Sequence, residues 1–153
     1  MDSIDLKLLH LLQTNASLTQ RQLAEKVHIS AATELRRINR LKQTGHIERQ
    51  VAILSPARLG AYLQVIAEIT LDRQDSAAQD EFDALVASVD AVQQCYRVSA
   101  GPDFILVITV ADMAAYQALA HNVFSAHHNV RNVRAFFCTQ RSKFTPQLPL
   151  PAP

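Results

Sequence analysis

Residues 19–45 read TQRQLAEKVHISAATELRRINRLKQTG, two helix-forming segments separated by three residues, an arrangement that few folds accommodate. Thr19 and Gln22 make a T-x-x-Q capping box for the first helix, and Leu23, Ala24 and Val27 then place small and apolar side chains on one face. His28, Ile29 and Ser30 interrupt it. Ser30 stands where a cap for the next helix is needed, and Gly45 suits the left-handed position just past that helix's end. Two helices joined by so short a turn predict a helix-turn-helix, whose second helix can enter a major groove.

Each residue advances about 100° around a helix, so an inward stripe predicts an outward one. Taking Leu35, Ile38 and Leu41 as the buried stripe turns Thr33, Arg36 and Arg40 outward, with Arg37 on one shoulder and Asn39 and Lys42 on the other flank. Arginine's planar fork suits guanine edges and phosphate oxygens, and Asn39 can reach an adenine edge or a phosphate. The expected DNA-binding set is Ser30, Thr33, Arg36, Arg37, Asn39, Arg40 and Lys42, with Arg49 from the segment beyond. A charged helix face on its own is more often just a solvated surface; the preceding helix, turn and caps favour double-stranded DNA as the partner.

Charge divides the chain in the same way. Residues 1–60 hold nine cations (Lys7, Arg21, Lys26, Arg36, Arg37, Arg40, Lys42, Arg49, Arg58) and five anions (Asp2, Asp5, Glu25, Glu34, Glu48), a net +4, so within an overall +1 the remainder is acidic at −3. A charge of +4 predicts moderate, salt-sensitive DNA affinity per subunit, which dimerisation across two half-sites would reinforce.

With 153 residues, 48% of them hydrophobic, the chain can build one medium domain or two small ones, and the charge split favours two. The expected divisions are 1–54 for the helical DNA-binding domain, 55–62 for a linker, 63–145 for a second domain and 146–153 for a proline-rich extended tail. The longest apolar run, Phe104 to Val110, is far too short for a bilayer, and no signal-like segment opens the chain, so a soluble cytoplasmic protein with no membrane partner is expected. Cys95 and Cys138 lack metal or redox spacing and are expected to be buried thiols.

Ile4, Leu8, Leu11 and Leu12 predict a helix ahead of the pair, completing a three-helix bundle. Residues 46–54, with Ile47, Val51, Ile53 and Leu54, read as a β-like run that suggests a wing or a strand leading out. Beyond it, alternation through Val65, Ala67, Ile69 and Leu71 predicts a strand with one more polar face. A helix lined by Phe82, Leu85, Val86 and Val89 follows, with Ser76 and Gln79 as a possible capping box. Val92 to Ser99 and Phe104 to Val110 read as a hairpin around Gly101 and Pro102. Asp112 caps a further helix facing inward through Tyr116, Leu119, Ala120 and Val123, and Val130 to Thr139 supplies a last strand.

The order βαββαβ predicts a ferredoxin-like split unit, so the fold class is α+β, with an N-terminal winged helix-turn-helix bundle and a C-terminal ferredoxin-like domain. Its second and fourth strands lie at opposite edges, which separates Cys95 from Cys138. Its helix-free face, with Ile66, Phe136 and Phe137 among the possible outward residues, calls for a second copy to cover it.

The segments IDLKLLHLLQTNASLTQRQLAEKV and ISAATELRRINRLKQTGHI, followed by βαββαβ, resemble the Lrp/AsnC feast/famine family of transcription regulators over essentially the whole chain. The most specific marks are Ile4-Asp5, Leu23-Ala24, the series Arg37, Arg40, Leu41, Gly45 and Ile47, and VSAGPDFIL at 98–106, which matches the family's SGxxDyxL hairpin. The resemblance implies a C-terminal domain that dimerises, assembles further to tetramers or octamers, and binds a small effector, usually an amino acid, near Ser99, Ala100, Gly101, Pro102 and Asp103. Three departures stand out: Ala100 where the family usually has glycine, His28 at a turn position where glycine is common, and Glu34 where a small or apolar residue is usual. His28 requires a left-handed backbone. Glu34 either pairs with Arg37 or reaches the surface between helices.

Asp103 has two readings: its carboxylate accepts bonds from an effector's α-ammonium group while backbone N–H groups of 100–103 hold the α-carboxylate, or it caps the turn with no ligand. The sequence shows no GxSxG, phosphate loop or paired-carboxylate motif. Adjacent His127 and His128 are expected to point different ways, and no histidine shows metal-ligand spacing with the cysteines. A regulator with no catalytic residues, no metal and no cofactor is therefore expected. The competing reading is a ligand-sensing oligomer whose helical part meets protein instead of DNA.

Overall fold

The computed structural model describes residues 1–60 and 62–151; residue 61 of the expected linker and residues 152 and 153 of the expected tail lie outside it. The described residues form two compact units, one from residues 1–53 with 143–151, the other within residues 54–142. No helix among these residues is long and apolar enough to cross a membrane.

The first unit holds α1 (Ser3–Thr14), α2 (Gln20–Val27) and α3 (Ala31–Gln43). α2 and α3 begin where their caps predict, and α1 begins at a cap the sequence reading did not name. Asp2 and Asp5 form a reciprocal capping box on α1, Thr19 and Gln22 form one on α2, and the Ser30 hydroxyl accepts from Thr33 N–H on α3. α2 ends at His28 in the left-handed conformation (φ 57°, ψ 47°), with Ile29 N–H returning to the Ala24 carbonyl at 3.0 Å. Leu8, Leu23, Val27, Ile38 and Leu41 close the bundle core. Residues 143–151 carry no helix or strand, and the Gln13 side-chain amide exchanges two hydrogen bonds with the Leu148 backbone, at 3.1 and 3.0 Å.

The expected β-like run at 46–54 forms no strand. A strand is stabilised by its ladder, and among the described residues this run joins none, while Val51, Ile53 and Leu54 stay largely exposed. The hydrogen-bonded wing is therefore absent among the described residues.

In the second unit a helical turn, α4 (Pro56–Leu59), precedes β1 (Leu63–Leu71), α5 (Ser76–Ala87), β2 (Val92–Arg97), β3 (Phe104–Val110), α6 (Met113–Leu119), which continues as a π-helical segment Ala120–Ser125, and β4 (Val130–Phe137). The sheet is antiparallel in the order β2-β3-β1-β4, the ferredoxin-like arrangement. Alternation sorts its faces: Val65, Ala67, Ile69 and Leu71 on β1 and Phe104, Leu106, Ile108 and Val110 on β3 pack with Phe82, Val86, Tyr116 and Phe124. Asp75, one residue ahead of the expected Ser76, caps α5 by accepting from Ala78 N–H at 3.0 Å. Its carboxylate is also held by Arg73.

On the opposite face Ile66 and Phe136 are cross-strand partners, 38% and 44% exposed. Phe137 differs from expectation. It pairs with Val65, on the helix-bearing side, and its ring meets Tyr116 edge-on with centroids 5.2 Å apart. A one-residue step along a strand reverses the face, so adjacent Phe136 and Phe137 could not both point outward. Cys95 lies on edge strand β2 and Cys138 follows the opposite edge, β4; both are free and half-buried, not fully buried as expected.

Candidate nucleic-acid and effector sites

α3 presents its face differently from the apolar reading. Glu34, Ile38 and Leu41 are buried, and Leu35 is 41% exposed. Spacings of i, i+4 and i+7 bring 34, 38 and 41 almost into line on a helix, whereas 35 stands about 100° away. The Leu35 side chain is more apolar than Glu34, and that contrast misled the choice of stripe. Glu34 neither pairs with Arg37 nor reaches the surface: it is 1% exposed and its Oε2 finds no hydrogen-bond partner. Burial raises its carboxyl above the usual range, and the charge of Lys42 only partly offsets this.

Arg36, Asn39, Arg40 and Lys42 are exposed, and Thr33 and Arg37 are half-buried. Arg49 lies in the exposed segment beyond α3. The Ser30 hydroxyl is engaged locally, accepting from Thr33 N–H at 3.2 Å and sharing a 2.9 Å bond with the Thr33 hydroxyl. Two of the cations are held from behind by α1. Arg37 Nη1 reaches Asp2 Oδ2 at 2.7 Å and Asp5 Oδ1 at 2.8 Å, and Arg40 Nη2 reaches Asp5 Oδ2 at 2.5 Å. Asp5 is fully buried. Burial pushes its carboxyl up, but the N–H of Asp2 and the Arg37 guanidinium outweigh this and leave it below the usual value. Asp2, exposed, is lowered to about 2 by the Asp5 N–H and Arg37. The carboxylates that fix these arginines are 32 or more residues away in the chain, and no helical spacing on α3 could have pointed to them.

Arg36, Arg37 and Arg40 line a shallow recess of ≈ 150 Å³.

In the second unit the turn at 98–103 is closed by Val98 N–H donating to the Asp103 carbonyl at 3.0 Å. Ala100 takes the left-handed backbone (φ 62°) that the family's glycine would take without cost. Ala100→Gly should therefore raise stability by about 1 kcal/mol, read as a higher urea midpoint; an unchanged or lower midpoint would mean the turn is unstrained. Asp103 Oδ2 accepts from Leu71 N–H at 2.7 Å and from Gln74 Nε2 at 3.2 Å, while Asp103 N–H donates to the Ile69 carbonyl at 2.8 Å. The carboxylate thus ties the hairpin to the end of β1. Ser99 and Gly101 are exposed beside it, and Pro102 is half-buried.

Two further clusters lie in the second unit. The rings of His127 and His128 do not diverge as expected; they stack with centroids 5.0 Å apart, next to Glu81. Asn129 N–H donates to His127 Nδ1 at 3.3 Å, so the neutral ring carries its proton on Nε2, facing Glu81 at 3.7 Å. A metal would need that Nε2 lone pair, so the arrangement favours a proton over an ion. A cleft of ≈ 300 Å³ is lined by Asp83, Val86, Val92 and the Cys95 thiol. Burial and the neighbouring Asp83 carboxylate push the Cys95 thiol up to about 11, which makes it a poor nucleophile.

A basic recognition helix in a capped helix-turn-helix, followed by a ferredoxin-like sheet, defines a DNA-binding regulator with a ligand-binding domain. Residues 1–42 match the AsnC-type helix-turn-helix domain and residues 64–148 the Lrp/AsnC ligand binding domain. The chain belongs to the Lrp/AsnC family of transcriptional regulators. It is 35% identical to a leucine-responsive regulatory protein of Haemophilus influenzae over 95% of this chain and 87% of that protein. It is 31% identical to the Bkd operon transcriptional regulator of Pseudomonas aeruginosa, covering 90% of each. Among solved structures, a transcriptional regulator of Neisseria meningitidis in complex with L-Met superposes with a TM-score of 0.88 at 30% identity, over 97% of this chain and 96% of that one.

Proposed function

We propose that this regulator binds pseudopalindromic double-stranded DNA as a symmetric oligomer in the cytoplasm, and that an amino acid bound beside the 99–103 hairpin alters its hold on DNA. The exposed cationic face of α3 carries the DNA contacts, with Thr33, Arg36, Arg37, Asn39, Arg40, Lys42 and Arg49 as the contacting set and Ser30 acting through its cap. Support for an amino-acid effector comes from the L-Met complex of the Neisseria relative. The helix-free sheet face bearing Ile66, Tyr96 and Phe136 is the surface on which a second copy would dock, and tetramers or octamers would build from such dimers. Effector control requires different effector affinity in the assemblies that do and do not fit DNA.

The test is a titration against fragments of the protein's own upstream region at two salt concentrations, with and without a panel of amino acids. Saturable binding that resists random competitor, shifted by one amino acid, is the expected result. Binding no tighter than to random DNA would favour a sensing oligomer whose helices meet protein. Asp103→Asn keeps an acceptor for Leu71 N–H while removing the charge, so it should weaken amino-acid binding in calorimetry with the oligomer intact. Unaltered effector affinity would remove Asp103 from the site.

A further inference from the structure

The arginines of α3 differ in their freedom to move, and that divides their roles. Arg37, with its side chain only 18% exposed, is held by two carboxylates, and Arg40 spends one Nη on buried Asp5. Reading a guanine edge requires an extended side chain whose two fork nitrogens are both available. To reach a base, Arg37 or Arg40 would have to give up its ion pair with fully buried Asp5, at a cost comparable to the discrimination one bidentate base contact supplies. Their tethered positions suit a group that comes to them. The edge of the recess is such a place: three guanidiniums (Arg36, Arg37, Arg40) set against two carboxylates (Asp2, Asp5) leave one net positive charge, which matches one phosphate. The helix-turn-helix pair is α2 and α3, and α1, which packs with them in the bundle, is the element that holds these arginines.

We propose that the Arg36, Arg37 and Arg40 recess, backed by Asp2 and Asp5, seats one phosphate of the DNA backbone, so that these arginines set affinity and register and do not read bases. This rests on the DNA-binding reading above. Sequence discrimination then falls to other α3 positions, and α1 contributes to DNA affinity through two acidic residues that a charge count would score as unfavourable.

The experiment uses the full chain and two labelled duplexes, one enriched from a random pool on the wild-type protein and one scrambled, followed by anisotropy across a salt series. Arg40→Gln should weaken both duplexes by the same factor and make the slope of log K against log salt shallower by about 1 per subunit, with the ratio between duplexes retained. Arg40→Lys should restore the slope. Asp2→Asn, which keeps a capping side chain on α1, should weaken binding although it removes a negative charge. A loss confined to the enriched duplex, or an unchanged slope, overturns the phosphate seat while DNA binding stands. Tighter binding by Asp2→Asn overturns the tether. A wild-type protein that enriches no duplex overturns the DNA reading and the seat together.

Discussion

Asp5→Ala is expected to destabilise the helical unit by about 3 kcal/mol at neutral pH, read as a lower urea midpoint of the far-ultraviolet helix signal. Asp5 is fully buried and accepts from three groups: Arg37 at 2.8 Å and Arg40 at 2.5 Å on α3, and the Asp2 N–H at 3.0 Å in the α1 capping box. Removing it leaves the half-buried Arg37 cation with Asp2, whose side chain is 53% exposed, as its remaining carboxylate partner, and the cost of that weakened pairing outweighs the small gain from no longer desolvating a carboxylate. The value belongs at the low end for buried pairs because Arg40 is 53% exposed and can turn to water. The pH dependence has a definite sign. The folded-state pKa lies below the ordinary 3.8, so the stabilisation is complete above that value and is lost as pH falls through the lowered one. Wild type and variant should therefore converge in acid, and a wild-type midpoint for the variant at pH 7 would contradict the pairing.

Glu34→Met should act in the opposite direction, raising stability by about 2 kcal/mol at pH 7. The native carboxyl is 1% exposed with Oε2 unpartnered, and methionine fills similar space with no polar oxygen to satisfy. Burial raises the folded-state pKa above 4.5, so the penalty is smallest below that value and grows as pH rises through the folded value. The gain from the substitution should accordingly shrink as pH falls from the raised folded-state value toward 4.5, and be smallest below it. A variant no more stable than wild type at pH 7 would show that Glu34 has a partner in solution. A buried acid inside the recognition helix is a stability cost at the centre of the proposed DNA-reading element.

Most of the fold was legible because its signals are local. The capping box at Thr19, the Ser30 cap, the left-handed demands at His28 and Gly45, and the change from helical to alternating periodicity after residue 60 each depend on neighbours a few residues away. The same locality explains where the reading missed. Asp75 and Ser76 are both competent caps, and the Arg73 contact to the Asp75 carboxylate lies outside any capping pattern. Residues 46–54 have strand character, but no strand forms without a partner to complete its ladder. Phe136 and Phe137 look alike in sequence, and only the register with Ile66 and Val65 assigns their faces.

The sequence by itself determined the helix-turn-helix, the βαββαβ order and the basic face of α3, since all three follow from backbone periods and end effects. Only the tertiary structure decided that Glu34 faces the core and Leu35 the solvent, that Arg37 and Arg40 answer to Asp5, and that Asp103 binds the end of β1. An ion pair or a hydrogen bond spanning 32 or more residues is set by how elements pack, and packing brings together side chains that no local period relates.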